Sequence, residues 1–486
     1  MKTKLFSDLV ILIVFVLTGG CTSATLPSTV SPTNQPAAVI PTTSPANQPR
    51  PITLAPAAKQ PLASRTGAPN ERVKIRWFIG VGTGRTPDAV ETARAFVENF
   101  NNSQDKIELS LQVATSSTHD AIDKLKAEIE AGNPPDIVTP ANIGWSGEQL
   151  DTFILPLDDL VAGYDLSSID PKELDYWRVQ GKLIGLPLGS FTSVIFYNKY
   201  LFAAANLPEP PHKFGEPYAD GEPWTVEKME KIAQRLTLDA NGRNAADSDF
   251  NSNRVTQWGF HWQWDSTRSM AVMFGTGSVV DKYGKAVIPQ QWREGFNWFY
   301  DGIWKKGFIP NTTQVNTIML GNPFASSKVA MVNYFTFLAP RLIGVKGWDL
   351  AAVPSYKGAI TSRLEYNGII ILNTTQHPAE ATKVAYAIAN NPELLLVWDM
   401  LPSFRGMQAT FIEQLKVKHP GVDWQVMLDS RNYADTAYED DMPNYRKSYD
   451  RLLEFRDLMG MYKGLALNAE IAKLESDLQM LFQEAP

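Results

Sequence analysis

The stretch VKIRWFIGVGTGRTPDAVETARAFVENF, residues 73–100, contains a strand, a glycine-rich turn and a helix in direct succession. Its first seven residues, Val73–Ile79, are rich in apolar and β-branched side chains and predict a strand. From Pro87 onward the spacing predicts a helix to Phe100, with one apolar face made of Ala89, Ala93, Phe96, Val97 and Phe100. A strand followed directly by a helix is a βα unit, which is typical of α/β proteins.

The next segments repeat this alternation. Residues 107–113 alternate apolar and polar side chains as a second strand, residues 121–130 form an amphipathic helix, and residues 132–139 lead into a third strand. Alternating strands and helices predict parallel sheets, and therefore an α/β fold class.

The turn Gly80–Gly84 differs from a dinucleotide-binding fingerprint. Its glycines recur at every second position, the third glycine of the fingerprint is missing, and no acidic residue ends the second strand. The turn instead predicts backbone amides that face a cleft at the carboxyl end of a strand, where open α/β sheets bind their ligands.

The amino-terminal segment predicts secretion and anchoring. Lys2 and Lys4 precede the apolar run Leu9–Leu17, which is too short to cross a bilayer core of roughly 30 Å. Small residues then precede Cys21, the only cysteine of the chain, and resemble a bacterial lipobox. This predicts a lipoprotein signal peptide over residues 1–20 and acylation of Cys21; the alternative is a plain secretory peptide that leaves Cys21 as a stray thiol.

Residues 22–70 contain ten prolines and no acidic residue. Such a segment buries too little apolar surface to offset the entropy of ordering, and we expect it to be a disordered tether. Residues 21–70 would then consist of the lipidated cysteine and this tether.

Composition narrows the class of partner. The formal net charge is −7 and no stripe of lysine and arginine is present, which argues against a nucleic-acid surface. Thirteen tryptophans, sixteen tyrosines and twenty-three phenylalanines supply flat faces that suit the apolar faces of sugar rings, although most aromatic side chains fill cores.

Motifs for covalent chemistry are missing. The sequence has no HExxH, GxSxG or Walker loop, and its five histidines lack metal-ligand spacing, so no metal, no cofactor and no catalytic residue is expected. A pair of carboxylates from distant positions, as in glycosidases, stays an alternative among the 52 acidic residues. Residues 239–249 have a faint likeness to a calcium loop, and an ordinary Asn-Gly turn is the alternative.

Several segments occur in a fixed order along residues 71–486. They include AEIEAGNPPDIV at 127–138, GKLIGLPLGSFTSVIFYNKYLFAAANLPEPP at 181–211, EPWTVEKMEKIAQRLT at 222–237, SSKVAMVNY at 326–334, WDLAAVPSYKG at 348–358 and EYNGIIIL at 365–372. Together they resemble the family 1 extracellular solute-binding proteins of bacterial ABC importers, which include maltose-binding and other sugar-binding proteins.

The resemblance implies an α/β, two-lobe periplasmic-binding-protein fold of type II-like form, with hinge strands between the lobes. Lobe 1 would contain residues 71–188 and 368–436, and lobe 2 residues 189–367 and 437–486. The chain would cross between the lobes near Gly189, Asn367 and Pro443.

The resemblance also implies a ligand site in the cleft between the lobes. Aromatic side chains would stack on sugar rings, while Asp, Asn and Arg side chains would bind hydroxyls. The residues implicated by position are Thr83, Arg85, Trp145, Ser190, Phe191, Trp262, Trp264, Asp265, Tyr334, Phe335 and Asn367.

The function expected from the resemblance is that of a non-enzymatic, monomeric binding component. It would capture a carbohydrate, in particular an oligosaccharide, and deliver it to ABC permease subunits while its lipid anchor holds it at the extracellular face of the cell membrane. A surface-anchored glycoside hydrolase and a sensor component that presents ligand to a receptor are the alternatives.

Overall fold

A computed structural model describes residues 72–81, 84–114, 118–141, 151–262, 266–342, 344–435 and 442–484. The strands in these ranges are β1 Val73–Ile79, β2 Ile107–Val113, β3 Ile137–Ala141, β4 Arg178–Val179, β5 Lys182–Leu183, β6 Leu186–Asn198, β7 Leu238–Asp239, β8 Val255–Trp262, β9 Val329–Phe335, β10 Trp348–Ala351, β11 Ser355–Tyr356, β12 Ala359–Ile360, β13 Leu364–Ile371 and β14 Leu401–Pro402.

The α-helices in the same ranges are α1 Pro87–Ser103, α2 Thr118–Glu130, α3 Pro171–Tyr176, α4 Lys199–Ala204, α5 Val226–Leu236, α6 Thr267–Val272, α7 Gln290–Trp304, α8 Thr312–Ile318, α9 Pro378–Ala389, α10 Pro392–Val397, α11 Arg405–Lys418, α12 Gln425–Ser430, α13 Tyr445–Met461 and α14 Leu467–Gln483. A 3-10 helix, Thr336–Leu342, directly follows β9.

The main sheet has the strand order β2-β1-β3-β13-β6-β9-β8-β7, and β10 and β14 also pair with β6. Strands β1, β2 and β3 are mutually parallel and form the first sheet half. Strands β8 and β9 are parallel to each other, and with β7 they form the second sheet half. Between the halves lie β13 and β6, which are antiparallel to each other.

The long strand β6 joins the two sheet halves. All of its thirteen residues are buried, which agrees with a central strand that is covered on both faces. Its early residues pair with β13, so that Gly189 faces Asn367, whereas Ser193 onward pairs with β9. We call Gly189–Ser193 together with Leu364–Gly368 the crossing segments.

The elements predicted from the opening stretch are confirmed. Strands β1 and β2 have the predicted bounds, and α1 begins at Pro87 but continues to Ser103. The predicted apolar face is only partly buried, because Ala89, Ala93 and Phe96 are buried whereas Val97 and Phe100 are half-buried. Phe96 meets the buried Trp77 edge-on, with ring centroids 5.6 Å apart, and so fixes α1 on the sheet.

Contacts also join the parts of the chain that were expected to form different lobes. Arg446 at the start of α13 donates to Asp123 of α2 over 2.9 Å, and both side chains are exposed. On the other side, Trp424 meets Trp348 of β10 edge-on at 6.2 Å. These contacts join the segments that were expected to form different lobes, and the lobe boundaries stay a prediction.

The amino-terminal features lie outside the described residues. These are the expected signal peptide, Cys21 and the tether to residue 70. Within the described ranges, none of the helices combines the length and apolar character that crossing a membrane requires.

Candidate functional site

The carboxyl ends of both sets of parallel strands point at the crossing segments. Strand β3 ends at Ala141, which faces Gly368 of β13. From the opposite side, β9 ends at Phe335, which faces Ser193 of β6. Because ligands of open α/β sheets bind at the carboxyl ends of strands, the surroundings of the crossing segments are the candidate site.

Four aromatic rings form a cluster at this place, which we call the strand-end cluster: Phe191, Tyr334, Phe335 and Phe337. The ring of Phe337 lies 5.1 Å from Phe191, 5.1 Å from Tyr334 and 5.4 Å from Phe335. Phe191, Tyr334 and Phe335 are buried, whereas Phe337 is only half-buried. Phe337 is therefore the ring of the cluster best able to meet a ligand.

Two arginine side chains lie against rings of the cluster. The guanidinium of Arg341 lies 5.5 Å from the ring centre of Phe337, and that of Arg363 lies 4.8 Å from the ring centre of Phe335. Burial lowers the pKa of Arg85, and the charge of Arg341 lowers it further. Arg85 follows β1 and Arg341 follows β9, so cations that follow strands of the two sheet halves interact electrostatically.

Buried polar atoms complete the site. Asn367 is 2% exposed, Asn333 7% and Thr336 0%. Among the described residues, Asn367 Nδ2, Asn333 Oδ1 and Thr336 Oγ1 have no hydrogen-bond partner. Since an unpaired buried polar atom costs free energy, the fold leaves hydrogen-bonding capacity unused next to the crossing segments.

The structure brings only part of the expected residue set together. Phe191, Tyr334 and Phe335 share one cluster, and Ser190 and Asn367 are buried on the crossing segments. The charge of Arg341 acts on Arg85 and lowers its pKa. Four further expected residues lie outside the described ranges: Thr83, Trp145, Trp264 and Asp265.

Trp262 has different neighbours from the strand-end cluster. At the end of β8 its ring meets Phe299 of α7 edge-on at 4.7 Å and the ring of His261 at 4.6 Å.

Phe337, Arg341 and Arg363 were not expected from the sequence. Their only signal is position, because the first two follow the SSKVAMVNY segment and Arg363 precedes the EYNG segment.

The possible calcium loop at residues 239–249 is an ordinary turn in the structure. Asp239 Oδ1 accepts hydrogen bonds from the backbone N–H groups of Asn241 and Arg243, and Oδ2 accepts one from Asn251. The backbone thus already uses both carboxylate oxygens. In the described part of the chain, no group of three or more His, Cys, Asp or Glu side chains is placed to hold a metal ion.

Helix α3 contains a buried carboxyl group, that of Glu173. Glu173 is 0% exposed, accepts a short hydrogen bond from Ser403, and its Oε2 lies 3.7 Å from Arg431 Nη2. Burial raises the pKa of Glu173 to about 7, although Ser403 and Arg431 act in the opposite direction. The folded protein therefore holds this proton more tightly than the unfolded chain.

This shift predicts a pH dependence of stability. The contribution of Glu173 is fully present below the unfolded pKa and is lost as pH rises through about 7. We expect Glu173→Gln to leave the melting temperature unchanged near about pH 5 and to raise it near about pH 8, by the equivalent of about 1–3 kcal/mol. Thermal unfolding at both pH values checks this expectation.

The matched control is Asp175→Asn, which makes the same change at an exposed position of the same helix. The pKa of Asp399 is also raised to about 7 by burial, but this group is present in every variant and cancels in the comparison. Identical pH profiles for the parent and Glu173→Gln would contradict the prediction.

Comparison with known proteins identifies the family. The family model described as bacterial extracellular solute-binding protein matches residues 84–391. The family consists of solute-binding proteins, not of enzymes. A maltodextrin-binding protein of Bacillus subtilis strain 168, MdxE, is 23% identical over 312 residues, which are 57% of this chain and 64% of that relative. The match thus spans a little less than two thirds of the relative's length.

Solved structures show the same fold at low sequence identity. Lmo0181, an ABC substrate-binding protein from Listeria monocytogenes in complex with cycloalternan, has a TM-score of 0.64 and 16% identity, covering 85% of this chain and 98% of that chain. MalE, a sugar-binding protein from Xanthomonas citri, has a TM-score of 0.64 and 15% identity, covering 85% of this chain and 100% of that chain. The fold is the two-lobe α/β fold with hinge strands. Since the family model spans more than half of the sequence, the chain belongs to the bacterial extracellular solute-binding protein family.

Proposed function

We propose that this protein captures a carbohydrate, in particular an oligosaccharide, at the crossing between its two lobes. The observation that carries the proposal is the strand-end cluster, in which the half-buried Phe337 lies beside Arg341. An aromatic face can pack on the C–H side of a sugar ring while a guanidinium donates to its hydroxyls. Relatives described as maltodextrin-binding or solved with cycloalternan support a saccharide.

The lobes we propose are residues 71–188 with 368–436, and residues 189–367 with 437–486. The register supports this division, because β6 leaves β13 and joins β9 within the crossing segments. A ligand that contacts both lobes binds the closed form better than the open form, and this difference drives closure.

Delivery to ABC permease subunits and attachment at the extracellular face of the membrane are further parts of the proposal. Family membership supports the first, and the lipobox-like sequence before Cys21 supports the second. The protein would act as a monomer. Trp145, Trp264, Asp265 and Thr83 would supply further ligand contacts from the loops at the strand ends.

Replacement of Phe337 by alanine tests the site. We expect Phe337→Ala to weaken binding of maltotriose or mannotriose, whichever the parent binds more tightly, by about 1 kcal/mol or more, because a stacking face is lost. Isothermal titration calorimetry measures the change. The control is Tyr283→Ala, which removes an aromatic ring that is 49% exposed and not part of the cluster.

Two results would contradict the proposed function. One is a parent protein that binds none of maltose, maltotriose, mannobiose and mannotriose but binds a polyamine or a peptide tightly. The other is release of reducing ends from these saccharides during incubation, which would show hydrolysis.

A further inference from the structure

A cavity of about 250 Å³ lies at the carboxyl end of β8, between helices α8 and α13. The residues that matter among its lining are His261 and Trp262 of β8, Thr312 and Asn316 of α8, and Arg456 and Asp457 of α13. This cavity is separate from the strand-end cluster, although Trp262 pairs with Asn333 on the neighbouring strand, two residues before Phe335.

The cavity wall contains a buried neutral imidazole. His261 is 7% exposed, and burial lowers its pKa to about 3, with a smaller effect from Arg456. The ring is therefore uncharged at neutral pH. Its Nδ1 is buried and has no hydrogen-bond partner in the described part of the chain, and an unpaired buried polar atom costs free energy.

The charged side chains of the lining neutralise each other. Arg456 Nη2 lies 2.7 Å from Asp457 Oδ1, and Arg456 Nε donates to the same oxygen over 2.9 Å. With His261 neutral, the described lining has no net charge. A charged ligand would lose its hydration without gaining a counter-charge, whereas hydroxyl groups can both donate to Asp457 and accept from Arg456.

Helices α8 and α13 approach each other closely beside the cavity. Gly460 of α13 lies so close to α8 that a Cβ at this position would be 2.3 Å from Thr312 Oγ1, and both residues line the cavity. The volume is below the roughly 300–1,000 Å³ of pockets for drug-sized ligands, which suits one ring and not a chain of rings.

We propose that this cavity binds the terminal ring of the captured oligosaccharide, and that it selects uncharged sugar rings over acidic ones. Arg456 and Asp457 bind hydroxyls of the ring, and their opposite charges keep the lining neutral beside the uncharged His261. This inference rests on the proposed function, because it assigns one further ring of the same ligand to a second place at the strand ends.

Filling the cavity from a surface position tests the assignment. Asn316 lies on the exposed side of α8 and lines the cavity, so Asn316→Trp adds bulk without removing a buried group. The matched control is Thr317→Trp, at the next exposed position of the same helix. Calorimetry uses the full chain with maltose, maltotriose, mannobiose and mannotriose.

We expect the parent to bind the trisaccharides more tightly than the disaccharides. Asn316→Trp should lower trisaccharide affinity by about tenfold or more, to the level of the disaccharide, while Thr317→Trp leaves it unchanged. If the parent binds a saccharide and the two variants bind it equally well, the cavity is not a subsite, although the proposed function stands. If no saccharide binds the parent, the proposed function itself fails.

A second variant tests the selection against charge. Asp457→Asn removes the carboxylate that neutralises Arg456, so binding of trigalacturonate should rise by about tenfold or more over the parent. An unchanged affinity of Asp457→Asn for trigalacturonate, in a variant that still binds the neutral trisaccharide, would overturn the selection.

Discussion

Gly259→Ala is expected to destabilise the second sheet half strongly. Gly259 lies in β8, and a Cβ there would be 1.9 Å from the backbone oxygen of Ala233 in α5. The obstacle is backbone, which cannot rotate away as a side chain can. Overpacking of cores costs about 1–3 kcal/mol where side chains can adjust, and we expect about 3 kcal/mol or more here.

Neighbouring contacts prevent β8 from moving aside. The Gly259 N–H donates to Thr237 Oγ1 over 2.9 Å. On the helix, Met229, Ile232 and Ala233 are all buried. A shift large enough to admit a methyl group would therefore separate α5 from the sheet.

Soluble yield and thermal unfolding of Gly259→Ala measure the effect. Gly406→Ala is the matched control, because Gly406 lies in α11 with no atom within 4 Å of the added Cβ. Since alanine is the better helix former, the control should be as stable as the parent or slightly more stable. Normal yield and an unshifted melting temperature for Gly259→Ala would show the close approach to be wrong.

Breaking the ion pair between Arg268 and Asp435 is expected to destabilise the protein by about 3–5 kcal/mol. Arg268 Nη2 lies 2.9 Å from Asp435 Oδ2, and the side chains are only 2% and 0% exposed. Arg268 belongs to α6, shortly after β8. Asp435 is held beside the second crossing segment, because its N–H donates to the backbone oxygen of Ser362 over 2.7 Å.

The pair therefore links parts of the chain that we assign to different lobes. In Arg268→Met or Asp435→Leu the remaining charge stays buried without this partner, and that desolvation is the main cost. The double variant buries neither charge and should be more stable than either single variant. Urea unfolding of the four proteins gives the coupling free energy.

An exposed pair provides the comparison. Lys416 Nζ lies 2.8 Å from Glu413 Oε1 on the surface of α11, with side chains 52% and 71% exposed. Lys416→Ala should change the unfolding midpoint little, because water already solvates both groups. If the two buried single variants behave like Lys416→Ala, the pair does not stabilise the fold.

The sequence predicted the elements whose patterns are local. The apolar runs of β1 and β2 and the spacing of Ala89, Ala93 and Phe96 follow from period alone, and each is found where expected. The resemblance to sugar-binding proteins identified Phe191, Tyr334 and Phe335, which share a cluster in the structure.

Other parts of the site depend on tertiary packing. Phe337 and Arg341 lie in a 3-10 helix that has no distinctive period, and the pairing of β6 with β9 brings Phe337 against Phe191. The cavity beside His261 requires α8 to meet α13 at Thr312 and Gly460, which are far apart in the sequence. No pattern within either segment indicates this contact.

The place of β13 in the sheet has a consequence for biosynthesis. This strand lies between β3 and β6, although the ribosome makes it long after both of them. Until residues 364–371 emerge, β3 and β6 have no partner at that edge, so both expose backbone groups and apolar surface. We therefore expect the amino-terminal part of the nascent chain to stay incompletely folded until this strand is made, and to be most prone to aggregation before then.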